Sequence, residues 1–168
     1  MSSAEQAPAP LTLPDLHNLS DTFEMVLGKA PALVDAGWAP PAGAMPVAVG
    51  CYRDDEGRLA ALFWTDLAVS AGLAAAMAML PRQRVAEVCE EGDLPKDMRE
   101  SVGEVFNIAV GVVATSPDVH LRMTGVEWLA DGLSDEICDA LESPRAALFA
   151  RVDLEDYAAA GLLSVALL

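Results

Sequence analysis

One predicted helix carries polar side chains at a spacing that could support chemistry. It begins at the signal Asp93-Leu94-Pro95, with proline in the first turn, and is predicted to run to about Thr115. On a helical wheel its apolar side chains share one face, which must point to the core: Met98, Val102, Val105, Phe106, Ala109 and Val113. The opposite face carries four residues that we name the polar ridge: Glu100, Glu104, Asn107 and Gly111.

Asn107 is the most informative member of the polar ridge. A carboxamide both accepts and donates hydrogen bonds, so it can hold a water molecule beside an anionic oxygen. Gly111 costs about 1 kcal/mol relative to alanine inside a helix, and it would let a partner approach the helix closely. Glutamate and asparagine are also ordinary residues of a solvated helix face, so periodicity alone leaves a purely solvent-exposed face as the alternative.

Other familiar catalytic patterns are missing from the sequence. It contains no GxSxG, no P-loop glycine run, no HExxH and no dinucleotide-binding fingerprint. His17 and His120 lie on segments of different type and are predicted to be solvated. Cys51, Cys89 and Cys138 lack the spacing of metal ligands, so they are predicted to be small buried residues in a reducing compartment, with no metal site.

Composition disfavours nucleic-acid and membrane partners. The length of 168 residues suits one domain, and a hydrophobic content of 53% supports a sizeable core. The formal net charge of −16 repels nucleic-acid phosphates and anionic membrane surfaces, so neither is an expected partner.

The N-terminus lacks the basic and apolar regions of a secretory signal, and a cytoplasmic protein is expected. The apolar run Leu59–Leu80 contains Asp66 and follows a turn signal, which favours a strand and a buried helix over a membrane span.

The order of elements predicts an α/β domain, more narrowly an α+β sandwich with helices on one face of a largely antiparallel sheet. Residues 1–12 are predicted to be a flexible tail and residues 13–168 a single domain. The remaining predicted elements, in chain order, are a helix from Pro14 to Gly28, an irregular connection over residues 30–46, a hairpin of Val47–Tyr52 and Arg58–Trp64, a buried helix over Asp66–Leu80, a strand from Val119 toward Trp128, an acidic amphipathic segment over Ser134–Leu141, and closing strands over Arg145–Val152 and Leu162–Leu168.

The segment from Ser101 to Gly111 resembles the active-site helix of the CheC/CheX/FliY phosphatases. The core of that helix is Glu-x2-Asn with a glycine four residues on, which Glu104, Asn107 and Gly111 match. One complete copy is present, so the resemblance is closest to CheX, and the order of elements resembles this family over most of residues 13–168. The family is built from two related halves. An echo of the motif in the first helix, Ser20-x3-Glu24-x2-Leu27, fits this arrangement and predicts a silent half-site in which Leu27 replaces the asparagine.

The resemblance implies hydrolysis of the aspartyl phosphate on a CheY-like receiver domain. Asn107 would position the attacking water, and Glu104 would pair with a receiver lysine. Glu100, Ser101 and Gly111 would complete the partner-binding surface. The protein would need no cofactor of its own, because Mg²⁺ belongs to the phosphorylated partner.

Two further expectations concern assembly. The resemblance implies a homodimer formed through sheet edges, and the apolar final strand Leu162–Leu168 would form an adhesive free edge if it were left unpaired. A non-catalytic CheX-like binding or assembly module for a receiver or another signalling protein is the alternative to a phosphatase.

Overall fold

Six strands form one antiparallel sheet in the computed structural model, which describes residues 10–168. The strands are β1 (Ala32–Gly37), β2 (Ala48–Arg53), β3 (Leu59–Thr65), β4 (Arg122–Trp128), β5 (Ala146–Leu154) and β6 (Ala159–Leu167). The helices are α1 (Leu16–Leu27), α2 (Leu67–Met77), α3 (Arg82–Glu91), α4 (Lys96–Ile108), α5 (Val110–Val113) and α6 (Asp135–Glu142). The predicted α+β sandwich is confirmed, and so are the hairpin β2–β3 and the buried helix that follows it.

The strand order reveals two related halves. Across the sheet the order is β1-β5-β6-β3-β2-β4, and every neighbouring pair is antiparallel. Exchanging the halves α1-β1-β2-β3 and α4-β4-β5-β6 leaves this order unchanged when it is read from the opposite edge. The first strand of each half pairs with a strand of the other half: β1 pairs with β5, and β4 pairs with β2. The predicted two-half architecture is therefore confirmed.

Both faces of the sheet are covered. On one face, helices α1 to α4 pack against a core centred on Phe63, whose ring lies 6.1 Å from that of Phe23 in α1 and 4.8 Å from that of Phe106 in α4. On the other face, α6 buries Ile137 in a smaller cluster with Trp64 and Phe149. The predicted amphipathic segment thus becomes a helix on the opposite face, so the prediction that all helices share one face of the sheet is wrong for α6.

Local signals set the ends of the long elements. The Asp15 carboxylate accepts the Asn18 N–H at 2.7 Å and starts α1, which ends at Gly28 in the left-handed conformation (φ 73°). Asp66 starts α2 in the same way and also accepts the Leu162 N–H of β6 at 2.8 Å. Among the helices of residues 10–168, none is long and apolar enough to span a membrane.

Several sequence predictions need correction. The connection over residues 30–46 contains the edge strand β1, and the helix α3 was not predicted. The long helix does not run unbroken to Thr115, because it stops being helical at Ala109 and resumes as the short α5. The final strand is not a free edge: β6 lies between β5 and β3, and the two edges are β1 and β4.

The predictions for the tail and the cysteines also change. Thr12 pairs with Thr115 through backbone hydrogen bonds of 3.0 and 3.2 Å, so the end of the predicted tail is attached to the fold. Residues 1–9 lie outside the described residues. Cys51 is buried, and burial raises its thiol pKa to about 11, whereas Cys89 and Cys138 are exposed.

Candidate functional site

Helix α4 orients the polar ridge as its periodicity predicts. The apolar face of the helix packs into the core, where Met98, Val102, Val105 and Phe106 are at most 1% exposed. Glu100, Glu104, Asn107 and Gly111 are exposed, while Ser101 is half-buried at the flank. The four ridge residues therefore form one solvent-facing surface, and Ser101 borders it.

The polar side chains of the ridge are free to bind a partner. Over residues 10–168, no hydrogen bond or ion pair engages the side chain of Glu100, Glu104 or Asn107. The adjacent Arg99 behaves differently, because its guanidinium contacts Asp131 at 2.6 Å and lies 5.2 Å from the centre of the Trp128 ring. Arg99 thus ties α4 to the end of β4 and leaves the ridge carboxylates unpaired.

Two rows of side chains run along this surface. Residues four apart lie one above the other on a helix, which places Glu100, Glu104 and Ile108 in one row. Ile108 is 41% exposed beside Asn107. The second row consists of Gly103, Asn107 and Gly111, so the only side chain in this row is that of Asn107. Sequence analysis did not single out Gly103 or Ile108, although their spacing of four from Asn107 and Glu104 was a usable signal.

Neither glycine of the second row has an internal reason to be glycine. A Cβ atom built at Gly103 or Gly111 would meet no atom within 4 Å, apart from the helix's own backbone. Neither residue has a positive φ, unlike Gly28 at the end of α1. Because glycine destabilises a helix interior, Gly103 lowers the stability of α4, and no contact within the described chain requires glycine at either position.

The end of α4 is held by a residue that sequence analysis did not identify. The Tyr52 hydroxyl, on strand β2, donates to the backbone carbonyl of Phe106 at 2.7 Å. Tyr52 is fully buried, and burial raises its pKa far above the ordinary value, so the hydroxyl remains a donor. The contact lies directly before Asn107 in the chain.

The remaining candidate groups do not gather at the ridge. His17 lies 3.5 Å from Asp21, and His120 lies 3.7 Å from Asp55, both as exposed pairs. Within the described part of the chain, no group of three or more histidine, cysteine or acidic residues could hold a metal ion.

The first half contains a counterpart of the ridge in a register different from the predicted one. The buried residues Leu19, Thr22 and Phe23 of α1 match Val102, Val105 and Phe106 of α4, and both phenylalanines contact Phe63. This register aligns Asp21 with Glu104, Glu24 with Asn107 and Gly28 with Gly111. The predicted alignment of α1 with α4 is therefore wrong by three residues. Glu24, rather than Leu27, occupies the position that corresponds to Asn107.

Comparison with solved structures identifies proteins that have a similar fold. FliY of Thermotoga maritima is similar with a TM-score of 0.61 and 17% identity, covering 88% of this chain and 81% of FliY. CheX of Vibrio vulnificus is similar with a TM-score of 0.50 and 8% identity, covering 90% and 94%. The FliM middle domain of H. pylori also has a TM-score of 0.50, with 7% identity over 90% and 83%. No protein-family model matches the sequence. No curated protein matches it either. The fold similarity supports the resemblance read from the α4 motif, and the chain has the fold of the CheC/CheX/FliY family.

Proposed function

We propose that this protein is a phosphatase that hydrolyses the aspartyl phosphate of a CheY-like receiver domain. One observation carries the proposal: Asn107 is exposed and unpartnered on α4, between two glycines that leave room for another molecule. The neighbouring Glu104 is equally exposed and free. A carboxamide and a carboxylate one turn apart on an open helix suit a reaction whose nucleophile is water and whose substrate is carried by another protein.

Asn107 would place the attacking water. Its side-chain oxygen can accept a hydrogen bond from water while its NH₂ group donates to an anionic phosphoryl oxygen. The water oxygen bonds to phosphorus as the bond to the aspartyl oxygen breaks, which yields the free aspartate and inorganic phosphate. The water proton ends on the phosphate. Phosphoryl transfer needs mainly positioning and charge stabilisation, so one well-placed amide can suffice when the receiver brings its own Mg²⁺.

Glu104 would fix the docking register, together with the rest of the ridge. Its carboxylate would pair with a receiver lysine, and Glu100, Ser101 and Gly111 would complete the contact surface. The net charge of −16 would speed encounter with a partner surface that carries lysines. We place the reaction in the cytoplasm, where the exposed thiols of Cys89 and Cys138 would stay reduced.

The test is the lifetime of phosphate on a receiver. Receivers from the source genome are phosphorylated with a small-molecule phosphodonor in the presence of Mg²⁺, and phosphate release is followed with and without the protein. We expect faster release with wild type and no acceleration with Asn107→Ala. Asn18→Ala is the matched control, since Asn18 is an exposed helical asparagine of α1 that lies outside the ridge. Unchanged release across all receivers would refute the proposal.

A binding module without catalysis is the second candidate. The similar FliM middle domain of H. pylori has been crystallised as part of a FliG–FliM complex, so this fold also serves protein assembly. Receiver binding with no change in phosphate lifetime would favour this candidate. A homodimer stays a prediction, and its sheet edges would be β1 and β4.

A further inference from the structure

We infer that Tyr52 is a positioning residue that fixes the orientation of Asn107 by holding the peptide unit between Phe106 and Asn107. The inference rests on the proposed function for its catalytic consequence. Tyr52 itself is buried in β2 and would touch neither the receiver nor the phosphoryl group.

The hydrogen bond acts on Asn107 through covalent geometry. The Phe106 carbonyl that accepts the Tyr52 hydroxyl at 2.7 Å belongs to the same planar peptide unit as the Asn107 nitrogen. A restraint on that oxygen therefore restrains the direction from which the Asn107 side chain leaves the helix. A buried bond of this kind is protected from competition with water, so the restraint is persistent.

The side chain of Phe106 is fixed as firmly as its carbonyl. A Cβ atom at Gly50 of β2 would lie 2.8 Å from Cδ2 of Phe106, so the ring fits only because position 50 is glycine. The ring also packs edge-on against Phe63 with 4.8 Å between centroids. Phe106 is thus held against the sheet by its ring and by its backbone, one residue before Asn107.

The same bond accounts for the end of α4. In a continuous α-helix the Phe106 carbonyl would accept the N–H of Val110. Here it accepts the tyrosine hydroxyl, and the helix breaks at Ala109, whose own carbonyl accepts the N–H groups of Val112 and Val113, each at 3.0 Å. A side chain that enters the helical ladder is a recognised cause of such breaks. Asn107 consequently lies in the last turn of α4, in a backbone geometry that depends on Tyr52.

Tyr52→Phe tests the inference because it removes the hydroxyl and keeps the ring. We expect kcat for receiver dephosphorylation to fall about tenfold, as misplacement of a catalytic group does, while the KM for the receiver stays unchanged. The released Phe106 carbonyl can then accept the Val110 N–H, so we also expect slower hydrogen exchange of the Val110 amide, measured by NMR without any receiver.

Thr65→Val is the matched control. Thr65 is also fully buried, and its hydroxyl makes one hydrogen bond, to Ser70 of α2 at 2.7 Å, rather than to the backbone of α4. We expect this variant to lose stability without a change in kcat or in Val110 exchange. Equal kcat in wild type and Tyr52→Phe, or equal losses in Tyr52→Phe and Thr65→Val, would overturn the inference. If wild type has no phosphatase activity, the proposed function fails, and unchanged Val110 exchange would then separately overturn the structural role of Tyr52.

Discussion

Gly103 and Gly111 allow stability and function to be separated. Each lies within a helix without a positive φ, and an added Cβ would meet no neighbouring atom. Replacing a helix-interior glycine by alanine is worth about 1 kcal/mol where the site is unobstructed. Gly103→Ala should therefore stabilise the isolated protein by up to about 1 kcal/mol, and Gly111→Ala, at the second position of the four-residue α5, by less.

The stability change is measured by thermal and urea unfolding. For a domain of this size, about 1 kcal/mol corresponds to a rise in Tm of about 2–4 °C, so the effect of Gly103→Ala is within reach of calorimetry. Gly28→Ala is the opposite control. Gly28 ends α1 in the left-handed conformation with φ 73°, so alanine there is strained and should lower the Tm.

The functional change should have the opposite sign. A methyl group at position 103 or 111 occupies the space on either side of Asn107 that a receiver would enter, so we expect weaker receiver binding and slower phosphate release. Stabilised variants with wild-type activity would show that nothing approaches this row closely. Destabilised variants would show that the glycines serve the fold itself, and either result would refute the reasoning.

Two further predictions concern carboxylates that hold the fold. Asp66→Ala should lower the free energy of unfolding by about 1 kcal/mol, because the N–H groups of Val69 and Leu162 lose their acceptor. Asp66→Asn should lower it less, since asparagine also caps helices and carries no charge that burial opposes. Equal losses of Tm in the two variants would contradict this prediction. Burial opposes ionisation of Asp54, but hydrogen bonds from the Arg58 backbone and guanidinium outweigh it and hold the Asp54 pKa below its ordinary value. The folded pKa is the lower one, so the stabilisation is present above the unfolded pKa of about 3.9 and is lost as pH falls through the folded value. The stability difference between wild type and Asp54→Asn should shrink in urea titrations below about pH 4, and a constant difference would contradict it.

The surface of α4 could be predicted from the sequence because it depends on local periodicity. The apolar face and the exposed positions of Glu104 and Asn107 follow from the 3.6-residue repeat, and the structure confirms them. The break at Ala109 could not be predicted, since it involves a hydroxyl of Tyr52 more than fifty residues earlier in the chain. Strand β1 was missed for a related reason: it is an edge strand between proline-rich segments, and its pairing with β5 is a long-range contact.

The alignment of the two halves follows from which residues are buried, and matching residue types in the sequence does not reveal it. Matching glutamates suggested an offset of 80 residues, whereas burial sets an offset of 83, since Phe23 and Phe106 both pack on Phe63. A hydrophobic core restricts which residue can face it far more strongly than a solvent-exposed surface restricts its residues. Exposed residues can therefore coincide by chance, while buried positions fix the true alignment.

That alignment bears on how many sites one chain can contain. In α1 the position of Asn107 is occupied by Glu24, and Asp21 stands in place of Glu104. An ionised carboxylate accepts hydrogen bonds but donates none, so Glu24 cannot bridge a water and a phosphoryl oxygen as an amide can, and its charge repels the phosphoryl anion. Gly28 is also explained by its left-handed φ, whereas Gly111 has no such backbone role. The first half thus retains the fold of the motif without its chemistry, and we assign the proposed activity to α4 alone, as one site per chain.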